Sequence, residues 1–257
     1  MSIYFNGANC DIYIGTGAGK MLLNDIRNAR KSVKIVSPYL TASLIAELIE
    51  MRNRNIDIQL ITMDNIEENF YEDTPKNIYK LIIQHRSLDK EAGNLRNKWI
   101  STSEILRYII IAVVAIELLL IYFIRDLKLI LGIIPIAVLF GIYKLYKTKI
   151  RAKRIYNYWY SQLFPFKVYM SSKALRESRS TFIHSKIYLI DNTIAYLGSL
   201  NFTKGGTEHS HETRVRTVSP GAINEISKEI EHLFNRFDLL QRDIQLWGKQ
   251  LYEEPIN

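Results

Sequence analysis

At 257 residues and 47 % hydrophobic content the chain can bury one sizeable core or two small ones, which excludes an intrinsically disordered protein. The formal charge of +8 favours anionic partners, nucleic acid or acidic lipid, without choosing between them. Cys10 is the only cysteine, so an intrachain disulfide framework and a cysteine-based zinc site are excluded, and the thiol is read as inert in a reducing compartment. The first residues, M-S-I-Y-F-N-G-A-N-C-D, lack a basic start followed by an apolar run, so any membrane attachment is expected inside the chain.

In chain order, Asp11–Gly15 reads as a strand, Lys20–Ala29 as a helix, Ser32–Ser37 as a strand, Ser43–Met51 as a helix and Ile56–Met63 as a strand. Strand and helix alternate, which predicts βαβ units and a mainly parallel sheet. The stretch Gly15-Thr16-Gly17-Ala18-Gly19-Lys20 looks like a nucleotide loop. It is one residue short of that motif, however, and Met21 stands where a magnesium-binding hydroxyl belongs. It is read as a glycine turn opening the first helix, with Thr16 as a weak cap. Asn77–His85 is predicted helical, and the charged stretch Arg86–Lys98 is expected to lead into an apolar segment.

That segment runs from Tyr108 to Ile124, apolar all round apart from Glu117. Arg125, Asp126 and Lys128 follow, and Leu129–Tyr143 is apolar again. Each piece approaches the length that crosses a hydrocarbon layer of roughly 30 Å, so a two-helix transmembrane hairpin is expected, with a buried hairpin or dimerisation arm as the alternative. Glu117 at mid-membrane calls for protonation or a polar partner, for which a helix of a second subunit is one source. Arg96, Lys98 and Arg107 precede the hairpin, and Lys144, Lys147, Lys149, Arg151, Lys153 and Arg154 follow it. This bias places both ends at the cytoplasmic face of the inner membrane, as a multi-pass protein. The cations could grip anionic headgroups or nucleic acid, and Tyr156, Tyr158, Trp159 and Tyr160 suit an interfacial aromatic belt.

Beyond the hairpin, Phe166–Met170, Thr181–Ile190, Thr193–Leu197 and Thr213–Thr217 are predicted strands, and Ala222–Gly248 a long or broken closing helix. Within them lies H-S-K-I-Y-L-I-D-N-T-I-A-Y-L-G-S-L-N, carrying His184, Lys186, Asp191, Gly198, Ser199 and Asn201. Residues two apart on a strand share a face, so His184 and Lys186 can converge on one anion. Imidazole can attack phosphorus or donate a proton, and an ammonium offsets phosphodiester charge, which suits phosphoryl transfer. Asn201 adds amide donors and Ser199 a hydroxyl. His209 and His211 have no third ligand in register, so no metal site is expected.

The combination resembles the H-x-K-x4-D signature of the phospholipase D superfamily, followed by that family's G-S-x-N. The resemblance implies an α/β sandwich of the phospholipase D type, with a mixed, mainly parallel sheet and the two-helix hairpin inserted. On that basis residues 1–98 and 151–257 are the two halves of the catalytic domain and 99–150 the transmembrane hairpin. It further implies that Glu212 orients the imidazole of His184, that Asp191 supports its strand or loop, and that catalysis passes through a phosphohistidine with no cofactor and no metal. Two H-x-K motifs are needed and the chain has one, so a homodimer presenting His184 twice is expected. Gly198-Ser199-Leu200-Asn201-Phe202-Thr203 resembles the nuclease branch. Lys173, Arg176, Arg179, Lys204, Arg214 and Arg216 could track a phosphate backbone, so nucleic acid, DNA or RNA, is the leading substrate. Phospholipid headgroups are the alternative, as for a phospholipase D or a cardiolipin synthase, and a non-catalytic membrane scaffold is the third reading.

Overall fold

The structure, a computed structural model, describes residues 4–63, 80–125, 131–170 and 183–257. Expectations for Asn77, Asp126, Lys128, Lys173, Arg176, Arg179 and Thr181 fall outside these residues. The described chain forms two compact units, residues 1–83 with 160–251 and residues 84–159 with 252–257.

The larger unit is built on a seven-stranded mixed sheet. Its strands are β1 (Cys10–Thr16), β2 (Ser32–Val36), β3 (Asp57–Met63), β6 (Phe166–Tyr169), β7 (Ile187–Ile190), β8 (Ile194–Gly198) and β9 (His211–Thr217), in the order β1-β9-β8-β7-β2-β3-β6. Strands β4 (Ile82–Leu88) and β5 (Tyr156–Gln162) pair separately. The β2–β3 and β3–β6 pairings are parallel, whereas β1–β9, β9–β8, β8–β7 and β7–β2 are antiparallel. The sheet is therefore mixed as expected but mainly antiparallel. A helix, Ala42–Asn53, carries the chain from β2 to its parallel neighbour β3, whereas β7 passes to β8 over three residues, too few for anything but an antiparallel neighbour.

Helices cover both faces. Along α5 (Pro220–Phe234) the buried positions Ala222, Ile223, Ile226, Ile230 and Leu233 recur at helical spacing. They pack with Val36, Ile61, Met63, Leu189 and Ala195 of the sheet. Burying each large aliphatic side chain contributes about 1.5–3 kcal/mol. On α1 (Gly19–Arg27), Leu22, Leu23 and Ile26 form the buried stripe, and Asp25 accepts the Tyr196 hydroxyl from β8 at 2.5 Å. Helix α2 (Ala42–Asn53) is the crossover between parallel β2 and β3. Thr16 does not cap α1, whose N-cap is Ala18 without a side-chain bond; Gly17, at φ 76°, makes the turn instead. The closing helix is broken, into α5 and α6 (Ile244–Leu251).

In the smaller unit, α3 (Lys90–Ile124) and α4 (Ile133–Ala152) run antiparallel, with Lys149 over Trp99, Lys147 near Glu104, and Gly132 against Glu117. Asp89 caps α3 by accepting the Ala92 amide at 3.0 Å, so the charged stretch turns directly into the apolar helix. The helix expected at Asn77–His85 is corrected: Ile82–Leu88 is strand β4, because β5, its pairing partner, lies beyond both helices and local pattern cannot reveal it. Of the described helices, only α3 is long and apolar enough to cross a membrane, and none of its apolar window is buried. Helix α4 falls short because Lys144, Lys147, Lys149 and Arg151 occupy its second half. The Glu117 carboxylate turns toward Gly132 of the same chain, and its Oε1 is buried without a hydrogen-bond partner among the described residues.

Asp191 marks the end of the sheet away from the motif histidine. With Asn192 it adopts positive φ, 52° and 53°, in the tight turn joining β7 to β8. Its carboxylate accepts the backbone amides of Lys31 at 2.7 Å, Ser32 at 2.9 Å and Arg30 at 3.0 Å, locking that turn to the start of β2. Burial pushes this carboxyl up, but the three amides together hold it below the ordinary aspartate value of 3.8. A carboxyl depressed on folding stabilises the protein above its ordinary range and ceases to do so as pH falls through the folded-state value. Asp191→Asn is therefore expected to lose about 2–4 kcal/mol at pH 7, read as a lowered Tm, with the gap to the parent closing in acid. A gap independent of pH contradicts this account.

Candidate active site

Four chain segments deliver the motif residues to one end of the sheet. Val36 pairs with Ile187, Ile187 with Leu197, and Gly198 with Arg214, so the end of β2, the start of β7, the end of β8 and the start of β9 coincide there. His184 and Lys186 lie just ahead of β7, Ser199 and Asn201 just after β8, and Glu212 at the head of β9. Asp191 is five residues past Lys186 along an extended chain, on the order of 16 Å away at the opposite end.

The strand expected from Thr181 starts only at Ile187, so His184 and Lys186 are not held by strand alternation. His184 is exposed whereas Lys186 is 6 % exposed. They meet because the lysine stem folds back. Its Nζ donates to the His184 carbonyl at 2.8 Å and lies 3.0 Å from each ring nitrogen. Burial pushes the Lys186 ammonium below the ordinary lysine range, and the Glu212 carboxylate partly restores it. A cation withdrawn from water beside an imidazole is placed to gain from an arriving phosphate.

Glu212 is itself positioned. The Ser199 hydroxyl donates to Glu212 Oε2 and accepts the Thr213 amide at 3.0 Å, while the Ser199 amide donates to the Thr213 carbonyl at 3.0 Å. This stitch requires Gly198, at φ 151°, because a Cβ there would collide with the Thr213 carbonyl oxygen. Asn201 has its Oδ1 buried without a hydrogen-bond partner among the described residues.

Two supporting residues escaped the sequence reading. Ser37 Oγ accepts the Phe202 amide at 2.9 Å while donating to the Tyr39 carbonyl, and the buried Tyr188 hydroxyl donates to the Leu200 carbonyl at 2.6 Å. Together they fix the turn that carries Asn201. Tyr188 was visible inside the motif, as a strand aromatic, but its partner could not be inferred from spacing. The expected basic track is reduced. Arg214 is buried, donating to the Ala18 carbonyl at 3.2 Å with its guanidinium over Tyr13, and Arg216 is engaged by Asp25, Asp11 and the Tyr196 hydroxyl. Among the described residues, no cluster of three or more His, Cys, Asp or Glu side chains is arranged to hold a metal.

A family model described as "Cardiolipin synthase, PLD-like domain" matches residues 22–237. Among solved structures the chain is similar to NucT from Helicobacter pylori, at 13 % identity and TM-score 0.47, covering 92 % of this chain and 100 % of that one. It is also similar to Nuc, a phospholipase D family member from Salmonella typhimurium, at 12 % identity and TM-score 0.42, with 91 % and 99 % covered. Phosphatidylserine synthase from Haemophilus influenzae Rd KW20 aligns at 14 % identity and TM-score 0.43, over 96 % of this chain and 42 % of that one. No curated protein matches the sequence.

The desolvated lysine yields a signed prediction. A lysine depressed on folding costs stability while it is charged, and that cost fades as pH rises from the folded-state value toward the ordinary 10.5. Lys186→Met is expected to melt at or above the parent temperature at neutral pH, with any advantage shrinking toward pH 10.5. Turnover of an anionic substrate at this site is expected to fall by at least about 100-fold. A variant less stable than the parent across that range would show that the charge stabilises the fold.

Proposed function

The chain belongs to the cardiolipin synthase, PLD-like domain family, and from that premise we propose that it is a membrane-anchored, metal-independent phosphodiesterase, active as a homodimer, with nucleic acid as its substrate. Phosphodiester chemistry is the reaction class that membership brings. The observation that carries the proposal is the convergence of His184, Lys186 and the Ser199–Glu212 pair at one sheet end, in a chain with a single H-x-K.

His184 of one protomer attacks phosphorus, forming an N–P bond as the P–O bond to the leaving alcohol breaks. His184 of the partner subunit donates the proton that the leaving oxygen takes up. Water then attacks the phosphohistidine, surrendering a proton to the partner's His184, and the N–P bond breaks to release the phosphate product and restore both rings. Lys186 offsets the charge on the non-bridging oxygens, and Asn201 at the same sheet end offers them its amide donors. Ser199 bonds the Glu212 carboxylate, which acts on the Lys186 charge, and the role proposed for Glu212 is to orient the imidazole. Asp191 acts from the far end, by holding the β7–β8 turn.

A nucleic-acid substrate is supported by the single motif, the G-S-L-N-F-T turn and the net positive charge. Phospholipid headgroups are the second reading, favoured by the exposed apolar surface of α3, which would keep the catalytic chain at a bilayer. The anchor proposed in either case is α3 with the apolar half of α4, and the cations flanking them support a cytoplasmic catalytic domain.

Detergent-purified protein offered single-stranded DNA, duplex DNA, RNA, phosphatidylglycerol and cardiolipin in parallel separates the readings. Cleavage of nucleic acid, unaffected by chelator and lost in His184→Ala, is the expected result. Turnover of lipids alone removes the nuclease reading, and no turnover, with parent and variant indistinguishable, leaves a membrane scaffold.

Subunit mixing tests the dimer. Because each site needs His184 twice, parent protein exchanged with excess His184→Ala should lose activity as the square of the parent fraction. A linear decline means that each chain works alone.

A further inference from the structure

Around the base of the helical hairpin, cations and aromatic rings are paired rather than scattered. Arg107 lies over Tyr108 at 5.0 Å, Lys144 over Phe140 at 5.1 Å, Lys147 over Tyr143 at 5.4 Å, and Lys149 between Tyr146 at 5.8 Å and Trp99 at 5.9 Å. The two helices contribute at one level, since Glu104 of α3 pairs with Arg107 and lies 4.0 Å from Lys147 of α4. Above that level the surface is apolar and exposed, with Ile109, Ile116, Leu119 and Phe123 on α3 and Ile134 and Val138 on α4. From Tyr143, Lys144 to Lys149 descend by about 2 to 9 Å along the helix axis, roughly the depth of a headgroup layer and its border.

We infer that this collar binds the phosphate groups of anionic phospholipids and selects them over zwitterionic ones, an inference that rests on the membrane-anchored reading above. An aromatic ring suits the interface between acyl chains and water, and a cation over its face stays at that depth with its charge available to a headgroup. Lys147 and Arg107 share Glu104, so their charge is partly spent. Among the described residues, Lys144 and Lys149 enter no ion pair, which makes them the selective positions. Each such cation near an anionic surface is worth about 1 kcal/mol, or about fivefold in association.

The test is the full chain reconstituted in phosphatidylcholine bilayers carrying a trace of spin-labelled phosphatidylglycerol or spin-labelled phosphatidylcholine, with the motionally restricted lipid read by electron paramagnetic resonance. The parent should hold the anionic probe about 25-fold more strongly, since the two cations multiply, and less so in high salt. Lys144→Gln/Lys149→Gln should bring the ratio to about one, and Lys144→Arg/Lys149→Arg, matched by circular dichroism, should retain it. Incorporation with equal association of both probes overturns the collar and leaves the anchor standing. Failure to incorporate into bilayers overturns the anchor, and the collar with it. Loss of single-stranded DNA retention in the glutamine variant with lipid preference unchanged assigns these cations to nucleic acid instead, and overturns the inference.

Discussion

The chemistry proposed for this chain depends on one withdrawn charge. Lys186 is almost wholly removed from water, and its ammonium is held by the His184 carbonyl and the edge of the His184 ring rather than by a directly bonded carboxylate. Burying a cation with incomplete compensation is unfavourable, and a fold under selection for stability alone would place an aliphatic residue there. The arrangement becomes favourable when an anion arrives, because interaction in a dry site is far stronger than in water. Glu212 moderates the cost from a short distance without quenching the charge.

Everything else at that end of the sheet keeps this charge and the imidazole in place. Antiparallel pairing of β7, β8 and β9 brings three motif segments to one end of the sheet, because successive antiparallel strands alternate direction. Gly198 lets the chain approach the Thr213 carbonyl, and the Ser199 stitch then fixes the head of β9, where Glu212 sits. At the far end the Asp191 carboxylate gathers three amides of the β2 entry, so that β7, which begins directly after the lysine, is tied down at its other end.

The motif was legible because residue identity and spacing encode it directly: His184, Lys186, Ser199, Asn201 and Glu212 lie together at one sheet end. Sequence pattern misled where the answer was non-local. Alternating strands and helices before Met63 read as a parallel sheet, yet the second half of the chain contributes most of the antiparallel pairing. Strand β4 read as a helix because its partner lies beyond two long helices. Arg214 and Arg216 read as free cations because their partners, the Ala18 carbonyl and Asp25 with Asp11, come from a segment remote in sequence. Burial and pairing of a charge are properties of the fold, which a one-dimensional pattern does not carry.

Glu117 shows the same lesson in the hairpin. By sequence it is an isolated acid in an apolar run, a position where a second subunit could supply a partner. In the structure its carboxylate presses against Gly132, where any Cβ would collide with it, and Gly132 immediately precedes α4. A carboxyl group at the start of a helix lies close to the amides that the first turn leaves unpaired, which makes that site less costly for it than the apolar middle of a helix. Glu117 Oε1 has no hydrogen-bond partner among the described residues. The pairing also fixes register. Sliding α4 along α3 by one turn, about 5.4 Å, would bring a bulky residue against Glu117 and strand the carboxylate on an apolar face. One small residue and one acid thereby define how the two helices align, in a pair whose apolar surfaces would otherwise tolerate many registers.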